Sequence, residues 1–195
     1  MRVKFWGVRG STPTPQAENM RYGGNTSCVE VRHGQSLYIF DCGTGFRILG
    51  DSLLQPASGK SIFAHVFVSH FHWDHIQGMP FFKPMYGYSD NRFIFHSSSR
   101  TRSLKQVMEE QMASPYFPVA MTEMKAQREF YEIDAGRAEI DGEIKLKQCG
   151  STIPRVAWDS GLKLGPGHWC MPPTTNPATL RSTRVCVRWP QGRTS

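Results

Sequence analysis

Three imidazoles and one carboxylate fall within six residues of this chain, His70-Phe71-His72-Trp73-Asp74-His75. Neutral imidazole and carboxylate are the donors that borderline divalent ions such as zinc prefer. A single histidine is ordinarily a packed or solvated residue. Four donor groups in six positions are more than packing requires, so the spacing favours a metal-binding loop over a merely pH-sensitive polar one. Along an extended loop, His70, His72 and Asp74 would face one side, and His75 would turn across as a helix begins. One segment could then serve two adjacent ions.

The element that must position this loop precedes it. The stretch Ala64 to Gly78 starts with the apolar run Val66-Phe67-Val68, closed by Ser69. A short β-branched and aromatic run bounded by small polar residues reads as a buried strand. The donors would therefore sit on the loop at its C-terminal end.

The pattern His70-Phe71-His72-Trp73-Asp74-His75 resembles the HxHxDH signature of the metallo-β-lactamase fold hydrolases. Further stretches are similar to the branch containing tRNA 3′-processing endonucleases and cyclic phosphodiesterases. They are Phe5 to Ser11 (FWGVRGS), Arg21 to Cys28 (RYGGNTSC), Phe40 to Gly45 (FDCGTG) and Pro115 to Val119 (PYFPV). The resemblance runs from residue 1 to about 148 and implies an α/β fold, an αββα sandwich of metallo-β-lactamase type, here incomplete in its C-terminal half. It implies two divalent metal ions, zinc with manganese or iron as alternatives. His70 and His72 would hold one ion and Asp74 and His75 the second, with Asp74 also orienting the nucleophile as the catalytic residue. Asp41 would fix an imidazole from behind; capping the helix that follows is its alternative role. The implied reaction is phosphodiester hydrolysis of a small-molecule or nucleotide substrate. An RNA-processing nuclease and a non-catalytic metal-sensing or regulatory module are the alternatives, and a homodimer is compatible with the likeness.

Composition sets the bounds. The 195 residues suffice for one domain with a real core, although members of such a family ordinarily run longer. No apolar run approaches the ~18 residues of a membrane span, and the N-terminus lacks a signal-peptide apolar region, so a cytoplasmic location is expected. Five cysteines without CxxC spacing suggest buried thiols rather than disulfides. The net charge of +7 invites a nucleic-acid reading, but its distribution weakens it. Residues 1–148 hold 17 Lys and Arg against 15 Asp and Glu, whereas residues 149–195 hold six against one. The basic excess lies mostly in the tail.

Around the donor loop, Arg2 to Val8, Ser27 to Arg32 and Ser36 to Phe40 read as strands, the last two joined by a turn at His33-Gly34-Gln35. Gly23-Gly24-Asn25 reads as a tight turn rather than an anion cradle. A helix is expected from near Gly45, with Phe46, Ile48, Leu49, Leu53 and Leu54 as its apolar stripe and Pro56 and Gly59 ending it. Phe93 to Phe95 is a further strand; His96 at its end has no assigned role. Ser103 should cap a helix through Leu104, Val107, Met108 and Met112. Pro115 to Pro118 is expected as an extended loop, and Glu129 to Ile133 and Glu143 to Lys147 as later strands.

From Cys149 the texture changes. Three of the five Trp and six of the thirteen Pro fall in residues 149–195, without 2.0 or 3.6 periodicity, so the boundary is drawn between 1–148 and a poorly ordered 149–195. Codons formed from the third base of each codon and the first two of the next permit a different peptide. Cys149 to Gly161 can spell Arg-Leu-His-His-Pro-Glu-Gly-Cys-Leu-Gly-Phe-Arg, and Trp169 to Pro177 can spell Val-Tyr-Ala-Thr-Asp-Asn-Glu-Pro. At Trp158/Asp159, Trp169/Cys170, Met171/Pro172 and Trp189/Pro190 the code leaves no choice, and all four forced residues fit. These strings resemble the segments carrying the family's further metal-ligand His and bridging Asp. A frameshift near Gln148 or Cys149 is the expectation that follows, and with it weak metal occupancy.

Overall fold

The computed structural model describes residues 1–54, 61–97 and 102–133 in full, and the backbone pairing of four later strands. Its first unit spans Met1–Glu132 and its second Ile133–Ser195.

The first unit is built on one six-stranded mixed sheet in the order β1-β2-β3-β4-β5-β6. β1 (Arg2–Gly7), β2 (Cys28–His33) and β3 (Ser36–Phe40) pair antiparallel. The β2–β3 turn uses Gly34 at φ 56°, which glycine adopts without penalty. β4 (Phe63–Val68), β5 (Arg92–Ser97) and β6 (Gln127–Glu132) then add in parallel. Parallel neighbours need crossovers: α1 (Thr44–Leu53) lies between β3 and β4, α3 (Leu104–Gln111) between β5 and β6, and a run of single helical turns over residues 73–85 between β4 and β5.

Alternation along the strands puts Leu37, Ile39, Ala64, Val66, Val68, Phe93 and Phe95 on one face, all in the hydrophobic core with Phe46 and Leu49 of α1 and Leu104 and Met108 of α3. Phe46 stacks on Phe82 with ring centroids 3.8 Å apart. A fully buried side chain of this size stabilises by about 1.5–3 kcal/mol. The expected stripe of α1 is present in part: Phe46 and Leu49 are buried, while Ile48, Leu53 and Leu54 are half-buried. α1 ends at Leu53; Pro56 and Gly59, expected to end it, lie outside the described residues. Ser103 caps α3 in a full capping box with Gln106.

Several local expectations change. Gly43, not Asp41, is the N-cap of α1, without a side-chain cap; the Asp41 carboxylate is engaged elsewhere. Residues 113–117 form turns rather than an extended loop, with Tyr116 N–H donating to Ala113 O at 2.9 Å. His96 is buried, its Nε2 3.0 Å from His65 Nδ1 on the neighbouring strand.

In the second unit β7 (Arg137–Ile140), β8 (Ile144–Ser151), β9 (His168–Cys170) and β10 (Ser182–Arg188) form an antiparallel sheet in the order β7-β8-β10-β9. Ser182 to Arg188 pair residue for residue with Ser151 to Lys145. Regular backbone thus occurs inside the segment expected to be irregular, where Val185 and Val187 give a local β-branched alternation. The remainder of 149–195 lies outside the described residues. Among the described residues no helix is long and apolar enough to cross a membrane.

Candidate metal centre

β3 and β4 are parallel neighbours, so their C-terminal ends lie side by side, with Phe40 opposite Phe67. Asp41 leaves β3 and Ser69 leaves β4 at this edge. Asp41 adopts φ 63°, a left-handed conformation that Asp and Asn tolerate better than most residues. Its fully buried carboxylate serves three partners. Oδ1 accepts the Ser69 N–H at 2.8 Å; Oδ2 accepts the Ser27 hydroxyl at 3.1 Å and lies 2.6 Å from His75 Nδ1.

That last contact fixes the His75 tautomer: Nδ1 bears the proton facing Asp41. The other nitrogen, Nε2, is buried without a hydrogen-bond partner and lies 3.3 Å from Asp74 Oδ2. A buried ring nitrogen aimed at a carboxylate and otherwise unsatisfied is the atom a bound cation would complete.

The donor loop departs from the extended form in its second half. His72, with an extended backbone, is the N-cap of the single-turn helix α2 (Trp73–Ile76), so Asp74 and His75 are helical. Asp74 therefore does not continue the His70–His72 side. Its Oδ2 instead accepts the Ser11 N–H at 2.8 Å. His70 is half-buried and His72 exposed; the His70 ring centroid lies 4.5 Å from that of His72 and 4.1 Å from that of His75. Ser69 Oγ lies 3.0 Å from His70 Nδ1 and 3.3 Å from His75 Nδ1.

Glycines make this closeness feasible. A Cβ at Gly43 would fall 2.3 Å from Asp74 O and 2.5 Å from Thr26 Oγ1, and one at Gly78 would fall 1.9 Å from Gly43 O. The backbone is stitched at the same place: Cys42 N–H donates to His75 O at 2.8 Å, and Gly78 N–H to Cys42 O at 2.7 Å.

Burial lowers the His70 pKa to about 4, with the neighbouring His75 adding to the shift. The His70 ring is thus neutral near pH 7, as a ligand must be. For His75 burial pulls the pKa down, but the Asp41 charge and hydrogen bond, with help from Asp74, raise it above 6.5. Burial pushes the Cys28 and Cys42 thiols well up; both are free and behave as core residues.

These residues fit a divalent metal as an incomplete set. Among the described residues no three His, Cys, Asp or Glu side chains close on one ion position; the His70 ring packs against those of both His72 and His75, and Asp74 lies beside His75. The structure brings all five sequence-derived residues, His70, His72, Asp74, His75 and Asp41, to one edge of the sheet. It adds three serines that sequence reasoning missed. Ser69 and Ser27 flank strand ends, a weak signal; Ser11 closes the family-like Phe5 to Ser11 stretch, but nothing in the spacing joined it to Asp74, 63 positions on.

No family model matches the chain. Curated relatives do: a ribonuclease Z from Haloarcula marismortui is 32% identical over 143 residues, covering 69% of this chain and 42% of that protein. A ribonuclease Z from Natronomonas pharaonis is 24% identical over 180 residues, covering 85% of this chain and 55% of that protein. The chain thus spans about half the length of these relatives. Among solved structures, a diphosphatase from the PhnP family superposes with a TM-score of 0.52 at 17% identity, covering 76% of this chain and 56% of that one. The metallo-β-lactamase fold protein YhfI from Bacillus subtilis gives a TM-score of 0.48 at 14% identity, covering 78% and 53%.

Proposed function

From a chain that belongs to the metallo-β-lactamase fold superfamily, on the side of the ribonuclease Z relatives, we propose a metal-dependent hydrolase of phosphodiester bonds. The observation that carries this reading is His75, gripped at Nδ1 by Asp41 and left with a buried, unsatisfied Nε2 beside Asp74. His70 and His72 are the donors of one ion, Asp74 and His75 of a second, with zinc first and manganese or iron as alternatives. When bound, such ions supply Lewis acidity toward phosphoryl oxygens and lower the pKa of an attacking water.

The chain's own residues do the rest. Asp41 holds the His75 proton on Nδ1 and so keeps Nε2 as the donor. Burial keeps His70 neutral. Asp74, nearly buried and anchored by the Ser11 amide, is positioned to orient a nucleophile. Exposed Trp73, in the donor loop between His72 and Asp74, offers an aromatic face suited to a nucleotide or other aryl phosphodiester. The substrate is a small-molecule or nucleotide phosphodiester in a cytoplasmic setting.

An RNA 3′-end nuclease is the second reading, favoured by relatives that carry the name ribonuclease Z. The near-balanced charge of residues 1–148 supports it less than a basic face would. The out-of-frame reading of the tail is part of the same proposal: residues after Gln148 replace the segments with the remaining ligands, so metal binds weakly. Sequencing the gene across codon 149 tests that part; an in-frame read matched by tail peptides of the native protein refutes it. Hydrolysis of bis(p-nitrophenyl) phosphate by the frame-restored protein, against its absence in a sensor module, tests the chemistry. Precursor tRNA cleavage separates the nuclease from the small-molecule esterase.

A further inference from the structure

Among the described residues only two non-glycine residues adopt a left-handed backbone, Ser11 at φ 67° and Asp41 at φ 63°. Such conformations persist where the surroundings over-determine them, and they concentrate at functional sites. Both residues end on the same pair of neighbours. Asp41 meets His75 through its carboxylate, and Ser11 meets Asp74 through its backbone N–H at 2.8 Å.

The loop that presents Ser11 is braced on both sides. Val8 and Arg9 donate their N–H groups to Asn25 O at 3.0 and 2.9 Å, and Thr14 N–H donates to Gly24 O at 2.9 Å. The Arg9 side chain ties down the far end of the loop through Gly23 O at 3.1 Å and Asn19 O. Asn25 Oδ1 accepts the Thr44 hydroxyl at 3.0 Å, which joins this brace to the start of α1. A Cβ at Gly24 would fall 2.2 Å from Thr14 O, so the two limbs of the loop lie in direct contact. Nothing about the Ser11 hydroxyl explains the arrangement; the group delivered is the amide.

We propose that Ser11 is a positioning residue of the metal centre: its N–H, aimed by the left-handed turn, holds Asp74 Oδ2 in one orientation. This rests on the metal reading given above. Asp74 Oδ2 is also the atom 3.3 Å from His75 Nε2. The amide fixes this oxygen beside the nitrogen, so that the two donors face a cation in one arrangement. Partners of this kind behind a ligand are worth about 10- to 100-fold in metal affinity.

The test is an amide-to-ester exchange. Residues 1–27 with an α-hydroxy acid in place of Ser11 are synthesised and ligated to residues 28–195 at Cys28; Ser11→Ala and Ser11→Gly accompany it. Co2+ is titrated into each chain and read by its visible absorption, with thermal melting as the control for folding. The expected result is that the ester weakens Co2+ binding by about 10- to 100-fold and alters the absorption band, while Ser11→Ala and Ser11→Gly, which keep the N–H, bind as the parent does. Equal binding by the ester and the parent overturns the proposal and leaves the metal reading standing. A loss with Ser11→Ala assigns the role to the hydroxyl and also overturns it. A parent chain that takes up no Co2+ overturns the metal reading itself, and the positioning role with it. Should the ester melt early, exchange of the Ser11 amide in the parent and in Asp74→Ala decides: an amide equally protected in both is not held by Asp74.

Discussion

Replacing Asp41 by Asn should cost about 3 kcal/mol of stability, with a distinctive pH dependence. Asn matches the shape of Asp and tolerates the φ of 63°, so neither volume nor backbone changes. What changes is the set of acceptors. Asp41 receives the Ser69 N–H, the Ser27 hydroxyl and the His75 Nδ1 proton. An amide keeps one oxygen and points an NH2 group at one of these donors. Losing a hydrogen bond to a charged group in a buried place costs about 1.5–3 kcal/mol, and breaking a buried ion pair about 3–5 kcal/mol. His75 can escape the upper figure by giving up its proton, which puts the expected cost near the value stated.

The same escape sets the pH dependence. In the native protein the pKa of His75 is raised above 6.5, so its contribution is fully present below the unfolded value and is lost as pH rises through the folded one. Without the Asp41 charge and hydrogen bond, only Asp74 still opposes burial at the ring, and the His75 pKa should fall. The penalty of Asp41→Asn should therefore be largest below about pH 6 and shrink toward pH 8. Urea unfolding of the metal-free chain at several pH values measures it, with a midpoint lowered by about 1–2 M at the acidic end. The His75 titration, followed by NMR, gives the independent check. A variant as stable as the parent at pH 6, with an unmoved His75 pKa, would refute the claim that Asp41 organises this site.

Other outcomes follow from the same geometry. Because the His70 pKa falls from 6.5 to about 4, the metal-free protein should lose stability between those values on acidification. About 2 kcal/mol is expected after discounting for partial exposure, and His70→Asn should flatten that limb of a pH–melting curve. Gly43→Ala should destabilise severely, since its Cβ would meet Asp74 O at 2.3 Å, whereas Gly87→Ala should be near neutral, with nothing within 4 Å; thermal melting of the two distinguishes them. Trp73→Ala should raise KM for a nucleoside phosphodiester about tenfold or more, a stacking contribution of about 1–3 kcal/mol, while leaving hydrolysis of a phosphodiester without an aromatic group, such as dimethyl phosphate, by the frame-restored enzyme little changed. A chelator should move the melting temperature of the 195-residue chain by no more than about 2 °C, because an ion held by two side chains adds little to folding.

What could be seen in the sequence was whatever the chain encodes locally. β4 showed as a short apolar run, the donor loop as His and Asp spacing, and α3 as Ser103 before an amphipathic stretch. Contacts made by distant segments were hidden. Ser11 reaches Asp74 only after β1 and β4 are placed in one sheet. His65 meets His96 because β4 and β5 pair in parallel with Phe67 opposite His96; neither residue looks unusual in its own strand. The expected extended form of the loop failed for a related reason. Periodicity over a few residues cannot distinguish an extended segment from a single helical turn, and α2 has four residues. The role of Asp41 was open between a cap and an imidazole partner, and tertiary packing decided it: Gly43 took the cap, freeing the carboxylate for His75.

The residues around the site hold one another through contacts of their own, and that bears on what an incomplete ligand set can do. Asp41, Ser69 and Ser27 fix His75, Ser11 fixes Asp74, and the Gly43 and Gly78 contacts lock the loops beneath them. All of these residues lie between Met1 and Glu132, within a unit that has its own core. Loss of ligands supplied from elsewhere should therefore lower metal affinity without unmaking the loop, unlike small metal domains whose fold and site form together. A preorganised half-site also binds better than a floppy one, since little ordering remains to oppose the ion. On the proposed out-of-frame reading of the tail, restoring the segments after Gln148 should raise affinity steeply while leaving the described loop where it is, a comparison that the frame-restored and 195-residue chains make directly through their His75 Nδ1–H resonances.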